Sequence, residues 1–260
     1  MCGYAATLAL IGAVLVNSSL AQSSLEKAVA DFRAGRPAQA EQSLRAILGA
    51  QPENAAAWKW LGVVYASQSQ HDLAEDPFRQ ACRLAPQDPD ACYFHGRNLY
   101  ALNRFEPALA VLEKALPRDP QPWRLHLATA LALEALGRAG ESEKQFRVSI
   151  GASPQPGRPD DDPRLHFGVF LMRQGRTKEA VSWLERAPQC ARASTEIGRA
   201  LAALEQPAAA VQALERAVAL DATYWNAHLL LGKLYLRLGR AADAERHLKL
   251  GEKGLTAPSP

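Results

Sequence analysis

The chain has 260 residues, of which 48% are hydrophobic, 22% charged and 7% aromatic, and its net charge is +3. Ala and Leu together supply about a third of the residues, a composition that favours helix over strand. It argues against an all-β fold, against a parallel sheet with Val- and Ile-rich strands, and against a disordered chain. The small net charge does not by itself indicate binding to nucleic acid.

The N-terminal segment is predicted to be a signal peptide. Residues 5–16 form an almost wholly apolar, uncharged run, which is too short to cross a bilayer core that needs roughly 20 residues. Small residues at Ser19 and Ala21 then provide a cleavage site after Ala21. We expect residues 1–21 to be removed on export, with no stable membrane insertion afterwards. Since no Lys or Arg precedes the run, an uncleaved anchor and a buried first helix are the alternatives.

The remainder of the chain repeats every 34 residues. Prolines recur at this interval, at Pro52, Pro86, Pro120 and Pro154. Between them, small and large residues keep the same order. The second unit shows that order most fully, with Trp58, Leu61, Gly62, Tyr65, Ala74, Phe78, Ala81 and Pro86. Such a period is typical of a stack of identical supersecondary units.

Each unit is predicted to be two amphipathic helices joined by a tight turn. Small residues at places 8, 20 and 27, counted from the first residue of a unit, let the two helices approach closely, and the proline at place 32 ends the second helix. This pattern resembles the tetratricopeptide repeat family over about residues 22–252. The resemblance implies an all-α, right-handed superhelical solenoid of about seven helix-turn-helix units.

The units are not all alike. The predicted boundaries are 1–21 for the leader, 22–54, 55–88, 89–122 and 123–156 for repeats one to four, 157–160 for an inserted joint, 161–190, 191–224 and 225–252 for repeats five to seven, and 253–260 for a flexible tail. Repeat one lacks the tryptophan of repeat two and has Ala28 in place of its Gly62, and we interpret it as a degenerate capping unit. Repeat five is shortened.

The resemblance implies that a partner binds along the first helix of each repeat. Places 2, 5, 9, 12 and 13 share one face of that helix, and here they carry nine basic and three acidic side chains. We therefore predict a groove for an acidic extended or helical segment of another protein. Its candidate residues are Arg33, Lys59, Tyr93, Arg97, Tyr100, Arg124, Arg173, Arg192, Arg199, Lys233 and Arg237. Ordinary scatter of surface charge is the alternative.

One known binding mode of the family does not carry over. Some members clamp a terminal carboxylate with Lys at place 5 and Asn at place 9. Here Lys59 stands at place 5, but Val63 stands at place 9, and the next repeat has Tyr93 and Arg97. The chain is therefore not expected to bind chaperone tails in that way.

No motif indicates catalysis, a metal or a cofactor. The sequence lacks a phosphate-binding glycine loop, HExxH and GxSxG. His126 and His228 fall at place 4, where Trp58 stands in repeat two, so we interpret them as packing residues. Cys82 and Cys92 lie at helix ends joined by a short turn, where either a disulfide or two small buried residues fits.

These observations predict a non-catalytic, exported adaptor that binds a partner protein. An accessory subunit of an envelope export or polysaccharide assembly is the alternative, which rests on fold analogy alone. A nucleic-acid binder of the helical-repeat kind is the remote alternative. It is disfavoured because many inner places hold Leu, Val and Ala rather than polar residues that read bases.

Overall fold

A computed structural model describes residues 23–118, 123–153 and 159–256. Within these ranges the chain forms fourteen α-helices and no strand, which confirms the prediction of an all-α helical repeat. The predicted signal peptide lies outside the described residues. The fold divides into two compact units, Met1–Ser142 and Glu143–Pro260, so the boundary falls within one helix.

The N-terminal unit holds the first seven helices and the start of the eighth. They are α1 (23–33), α2 (Pro37–Ala50), α3 (Ala55–Ser67), α4 (His71–Leu84), α5 (Pro89–Ala101), α6 (Phe105–Ala115), α7 (Trp123–Ala135) and α8 (Ala139–Ala152). A short 3₁₀ turn, Leu116–Arg118, follows α6. Consecutive helices pack on one another, and the first helices of neighbouring repeats, α3 with α5 and α5 with α7, are also in contact.

The C-terminal unit continues the same alternation. Its helices are the rest of α8, α9 (Pro163–Arg173), α10 (Thr177–Leu184), α11 (Ala191–Ala203), α12 (Pro207–Leu220), α13 (Trp225–Arg237) and α14 (Ala241–Thr256). A 3₁₀ turn, Pro159–Asp161, precedes α9, while most of the predicted joint 157–160 lies outside the described residues. Helix α10 has only 8 residues, against 14 in α12.

One prediction about the C-terminus is wrong. The tail was expected to be loose from residue 253, but α14 continues to Thr256. Two glycines explain the extension. A Cβ on Gly251 would lie 2.6 Å from the Leu229 side chain, and one on Gly254 would lie 2.5 Å from Trp225 Cβ. Because both positions lack a side chain, α14 packs closely on α13 along its whole length.

Close approach of the paired helices sets the core of each unit. A Cβ on Gly62 would lie 2.6 Å from the Phe78 ring, and one on Gly96 would lie 2.5 Å from Leu112. Ala74, at place 20 of the same repeat as Gly62, is fully buried. The predicted register of small residues is thus confirmed in these repeats.

The turn between paired helices requires a left-handed backbone at one position. Gly35, Gly137, Gly175 and Gly239 occupy it with φ between 73° and 75°. In three other repeats the position holds Ser69, Asn103 and Glu205, with φ of 58° to 59°. A residue with a Cβ pays roughly 1–2 kcal/mol in this conformation, so these turns are strained relative to the glycine turns.

A disulfide joins the second and third repeats. Cys82 in α4 and Cys92 in α5 are bonded, with Cα atoms 4.7 Å apart. Of the two alternatives, the structure therefore contains the bond. Cys92 is also buried, against Leu112 and Leu125, so the bridge is part of the core of the N-terminal unit. Cys190 is a free thiol.

Candidate functional site

The inner face of the N-terminal unit is built by α1, α3, α5 and α7. These are the first helices of repeats one to four: α3 contacts α5, α5 contacts α7, and Phe32 of α1 contacts Trp60 of α3. Six of the predicted groove residues lie on these helices: Arg33, Lys59, Tyr93, Arg97, Tyr100 and Arg124. What each contacts decides whether it is available to a partner.

Tyr93 is the centre of a cationic cluster. The Arg124 guanidinium lies 4.5 Å from the centre of the Tyr93 ring, and the Arg97 guanidinium lies 5.5 Å from it. Arg97 also donates a hydrogen bond to the Tyr93 hydroxyl at 3.3 Å. The ring is only 7% exposed. Tyr93 is therefore not the open aromatic contact that the sequence predicted, but a platform that orients two arginines by cation–π attraction.

Two carboxylates of the chain itself border this cluster. Asp88 caps the start of α5 by accepting a hydrogen bond from the Asp90 amide at 2.9 Å, and its other oxygen accepts one from Lys59 Nζ at 2.9 Å. Asp90 Oδ1 lies 3.6 Å from Arg124 Nη1. Both pairs are partly exposed, so they are worth about 1 kcal/mol or less. A partner carboxylate can exchange with them at little cost.

The remaining predicted residues of this unit have other roles. Arg33 lies 5.9 Å from the Trp60 ring centre and is exposed. Tyr100 is half-buried, with its ring 5.3 Å from Phe105, so it contributes to the core. Trp60 stands at place 6, outside the places predicted to form the groove, and is half-buried.

The predicted residues of the C-terminal unit form a looser set. Arg173, Arg199, Lys233 and Arg237 are exposed and Arg192 is half-buried. Arg199 lies 3.6 Å from Glu196, and Arg192 donates a hydrogen bond to the Asp160 carbonyl at 3.4 Å. In the described part of this unit, Arg192, Arg199, Lys233 and Arg237 do not converge on one aromatic ring, in contrast to the cluster at Tyr93.

A buried histidine pair confirms the packing interpretation of His228. The His228 Nε2–H donates to the Ala222 carbonyl at 3.0 Å, which leaves Nδ1 to accept from His247 Nδ1 at 2.9 Å. Both rings are less than 10% exposed. Burial lowers the pKa of His247, and so do His228 and Arg246, while Asp243 and Glu215 act in the opposite direction.

The surroundings of Cys190 and Tyr235 do not favour the ionised forms of these side chains. Burial raises the pKa of the Cys190 thiol, which disfavours the nucleophilic thiolate. Burial and the hydrogen bond to Glu215 raise the pKa of Tyr235 to about 12. Among the described residues, no three His, Cys, Asp or Glu side chains are placed to hold a metal ion. The cationic cluster at Tyr93 is thus the best-defined candidate site.

The chain is built of stacked helix pairs, and the first helix of each pair presents side chains along one face. This architecture is that of a helical-repeat protein. Sequence models described as "Tetratricopeptide repeat" match residues 25–89, 93–155 and 201–253. The chain belongs to the tetratricopeptide repeat family. Such repeats generally mediate contacts between proteins and are generally non-catalytic.

Curated relatives share only part of their length with the chain. It is 35% identical over 116 residues to the inactive TPR repeat-containing thioredoxin TTL3 of Arabidopsis thaliana, and 32% identical over 127 residues to protein FlbA of Caulobacter vibrioides. These matches cover 43% and 46% of this chain but only 16% and 21% of the relatives. The similarity therefore covers a segment of each relative and not its whole length.

Solved structures agree with the fold. A tetratricopeptide repeat protein from Parabacteroides merdae superposes with a TM-score of 0.70 at 18% identity, covering 90% of this chain and 92% of that one. PilF of Pseudomonas aeruginosa gives a TM-score of 0.55 at 16% identity, covering 92% and 94%. PilW, a type IV pilus biogenesis factor, gives 0.55 at 21%, covering 92% and 95%.

In the described part of the chain, no helix has the length and apolar character that a bilayer crossing needs.

Proposed function

We propose that the protein is a non-catalytic scaffold that holds an acidic segment of a partner protein on the inner face of its N-terminal unit. The observation that carries this proposal is the pair of guanidinium groups at 4.5 Å and 5.5 Å from the centre of the Tyr93 ring. An arginine fork donates two parallel hydrogen bonds to a carboxylate, and a side chain held over a ring loses less freedom on binding.

The surrounding charges support the same partner chemistry. Arg33 and Lys59 lie on the neighbouring inner helices of the unit. The chain's own Asp88 and Asp90 already pair with Lys59 and Arg124, which supports a carboxylate as the partner group. Partner carboxylates would take the place of weak, partly exposed pairs rather than meet buried ones.

We also propose that the protein acts outside the cytoplasm. The disulfide between Cys82 and Cys92 supports this because structural disulfides persist in oxidising compartments, and the apolar run at residues 5–16 supports an export signal. The more specific alternative is an accessory subunit of an envelope assembly. Mass spectrometry of the native protein tests export: loss of residues 1–21 is expected, and an intact Met1 on protein recovered outside the cytoplasm contradicts cleavage.

The scaffold proposal is tested by comparative capture. Protein partners are captured from extract of the native organism with the wild-type chain and with Arg97→Glu/Arg124→Glu, then quantified by mass spectrometry. Like charges at an interface cost several kcal/mol, so the reversal should reduce capture of the true partner at least about tenfold. Binding should also weaken as salt rises, because exposed pairs are screened within about 10 Å at 0.1 M.

Arg83→Glu is the matched control. Arg83 is exposed on α4, a second helix of its repeat, and donates a hydrogen bond to the Gln80 side chain at 3.0 Å. Arg83 is preferred to the outer-surface Arg147, because Arg147 pairs with Glu143 at 2.7 Å and lies 3.6 Å from Glu179, so its reversal would place like charges together. A partner captured equally by all three chains, at all salt concentrations, would contradict the proposal.

A further inference from the structure

The inner face of the N-terminal unit carries an apolar groove beside its cations. The groove has a volume of about 640 Å³ and lies between α1 and α3. Its lining residues are Leu25, Glu26, Val29, Ala30, Arg33, Ala34 and Trp60. Glu26 and Arg33 are exposed, whereas Leu25, Val29 and Trp60 are half-buried. The apolar floor is thus open to solvent, with charge at its edge.

The two helices already contact each other beside the groove. Phe32 of α1 packs on Trp60 of α3, with ring centres 6.1 Å apart. Trp60 also lines the groove, whose volume leaves room for a bulky apolar side chain of a partner. The guanidinium of Arg33 lies 5.9 Å from the centre of the Trp60 ring and gives the edge a positive charge.

The apolar groove and the cationic cluster follow one another along the unit. Lys59, the neighbour of Trp60 on α3, reaches Asp88 at the start of α5 with an Nζ–Oδ2 distance of 2.9 Å. Arg124 of α7 reaches Asp90, also at the start of α5. The groove at the α1–α3 seam is therefore two helix-to-helix steps from the cluster at the α5–α7 seam.

The distance between the groove and the cluster sets how many partner residues separate the two contacts. Packed helices lie 8–10 Å apart, so two steps span about 16–20 Å. An extended chain rises about 3.3 Å per residue, and roughly five or six residues cover that distance.

We infer that the partner segment is extended and places a bulky apolar side chain in the groove, about five or six residues away from a pair of acidic side chains that bind Arg97 and Arg124. This inference rests on the proposed function and adds a second contact to it. The chain's own leader is the competing occupant, but residues 1–21 contain no Asp or Glu. The leader therefore cannot satisfy the cations.

Selection from a library of random 12-residue peptides displayed against the full chain tests the inference. Enriched peptides should carry an apolar residue and two acidic residues at the stated spacing. Acidic peptides without a preferred apolar residue would overturn the inference and leave the proposed function standing. Peptides without acidic residues, or no enrichment at all, would contradict both.

A mutant cycle then locates the apolar contact. The labelled best peptide should bind Val29→Lys about tenfold more weakly than wild type, the loss expected when one apolar contact is removed. A peptide with its apolar residue replaced by Ser should bind both chains equally. Val29 is half-buried at the groove, and the substitution keeps the Phe32–Trp60 contact. Circular dichroism checks that Val29→Lys folds.

Val148→Lys is the control, since Val148 is 47% exposed on α8 in the part that belongs to the C-terminal unit. It should leave binding unchanged. Equal binding of the intact peptide to Val29→Lys and wild type would overturn the inference. A synthetic peptide of residues 1–21 that binds wild type but not Val29→Lys would also overturn the inference, because the leader would then be the occupant of the groove.

Discussion

The disulfide between Cys82 and Cys92 should contribute measurably to the stability of the N-terminal unit. The two cysteines are 10 residues apart in sequence. In the chain-entropy description, closing a loop of this length removes about 2.7 kcal/mol of conformational freedom from the unfolded chain at 25 °C. Reduction breaks the S–S bond and removes no packed side-chain atom. The comparison of oxidised and reduced protein therefore separates the effect of the cross-link on stability from the effect of burying Cys92.

Urea unfolding with and without a phosphine reductant measures the effect. A slope of about 2–3 kcal/mol per molar urea converts 2.7 kcal/mol into a midpoint shift of about 1 M. Because repeats unfold in partly independent steps, hydrogen exchange should quicken under reduction at the amides of α4 and α5 and stay unchanged at α13. Cys190→Ser should respond to reductant like wild type, and Cys82→Ser/Cys92→Ser should not respond.

Two results would refute this reasoning. The first is thiol titration that finds Cys82 and Cys92 free in protein purified without reductant. The second is a reductant shift of the same size in Cys82→Ser/Cys92→Ser, since the effect would then not come from the bridge.

Three further predictions concern folding. Ala74→Leu should lower the free energy of unfolding by about 1–3 kcal/mol, because Ala74 is fully buried; an unchanged thermal midpoint would contradict the register of small residues. Glu205→Gly should raise the free energy of unfolding by about 1 kcal/mol, because the φ of 58° at Glu205 suits glycine, and a lower urea midpoint would contradict this. The pKa of His247 is lowered in the folded state, so the unfolded chain binds a proton at this residue more tightly than the folded chain does. The free energy of unfolding should therefore decrease as the pH is lowered from about 6.5, by at most about 1.4 kcal/mol per pH unit. Hydrogen exchange at α13 and α14 at pH 7 and pH 5 measures this loss, which should be smaller in His247→Gln; a pH-independent exchange free energy would contradict it.

The repeat could be predicted from the sequence because its period is fixed by packing. Gly62 and Ala74 lie where two helices touch, and only small residues permit that contact. The same spacing recurs in later repeats, so the period shows both the fold and the register. The end of α14 could not be predicted in this way. Its last turn depends on the contact of Gly254 with Trp225, which lies outside the repeated positions.

The site was only partly predictable. The helical period correctly placed Arg97 and Arg124 on first helices, but it does not tell how deeply a side chain is buried. Tyr93 was therefore predicted to be open although it is 7% exposed. The hydrogen bond from Lys59 to Asp88 could not be predicted, because it depends on the stacking of two repeats. Trp60 was missed because its position is adjacent to the face that the period assigns to the groove.

In the proposed complex, the cluster of Tyr93, Arg97 and Arg124 binds the acidic segment of the partner. A nuclear magnetic resonance titration of the full chain with an acidic peptide selected for binding tests this at the Tyr93 ring and the arginine Nε–H signals. We expect saturable shifts at Tyr93, Arg97 and Arg124, no shift at Arg83, and loss of the shifts when the peptide's acidic residues are replaced by their amides. Saturable binding that leaves these three residues unshifted would contradict it.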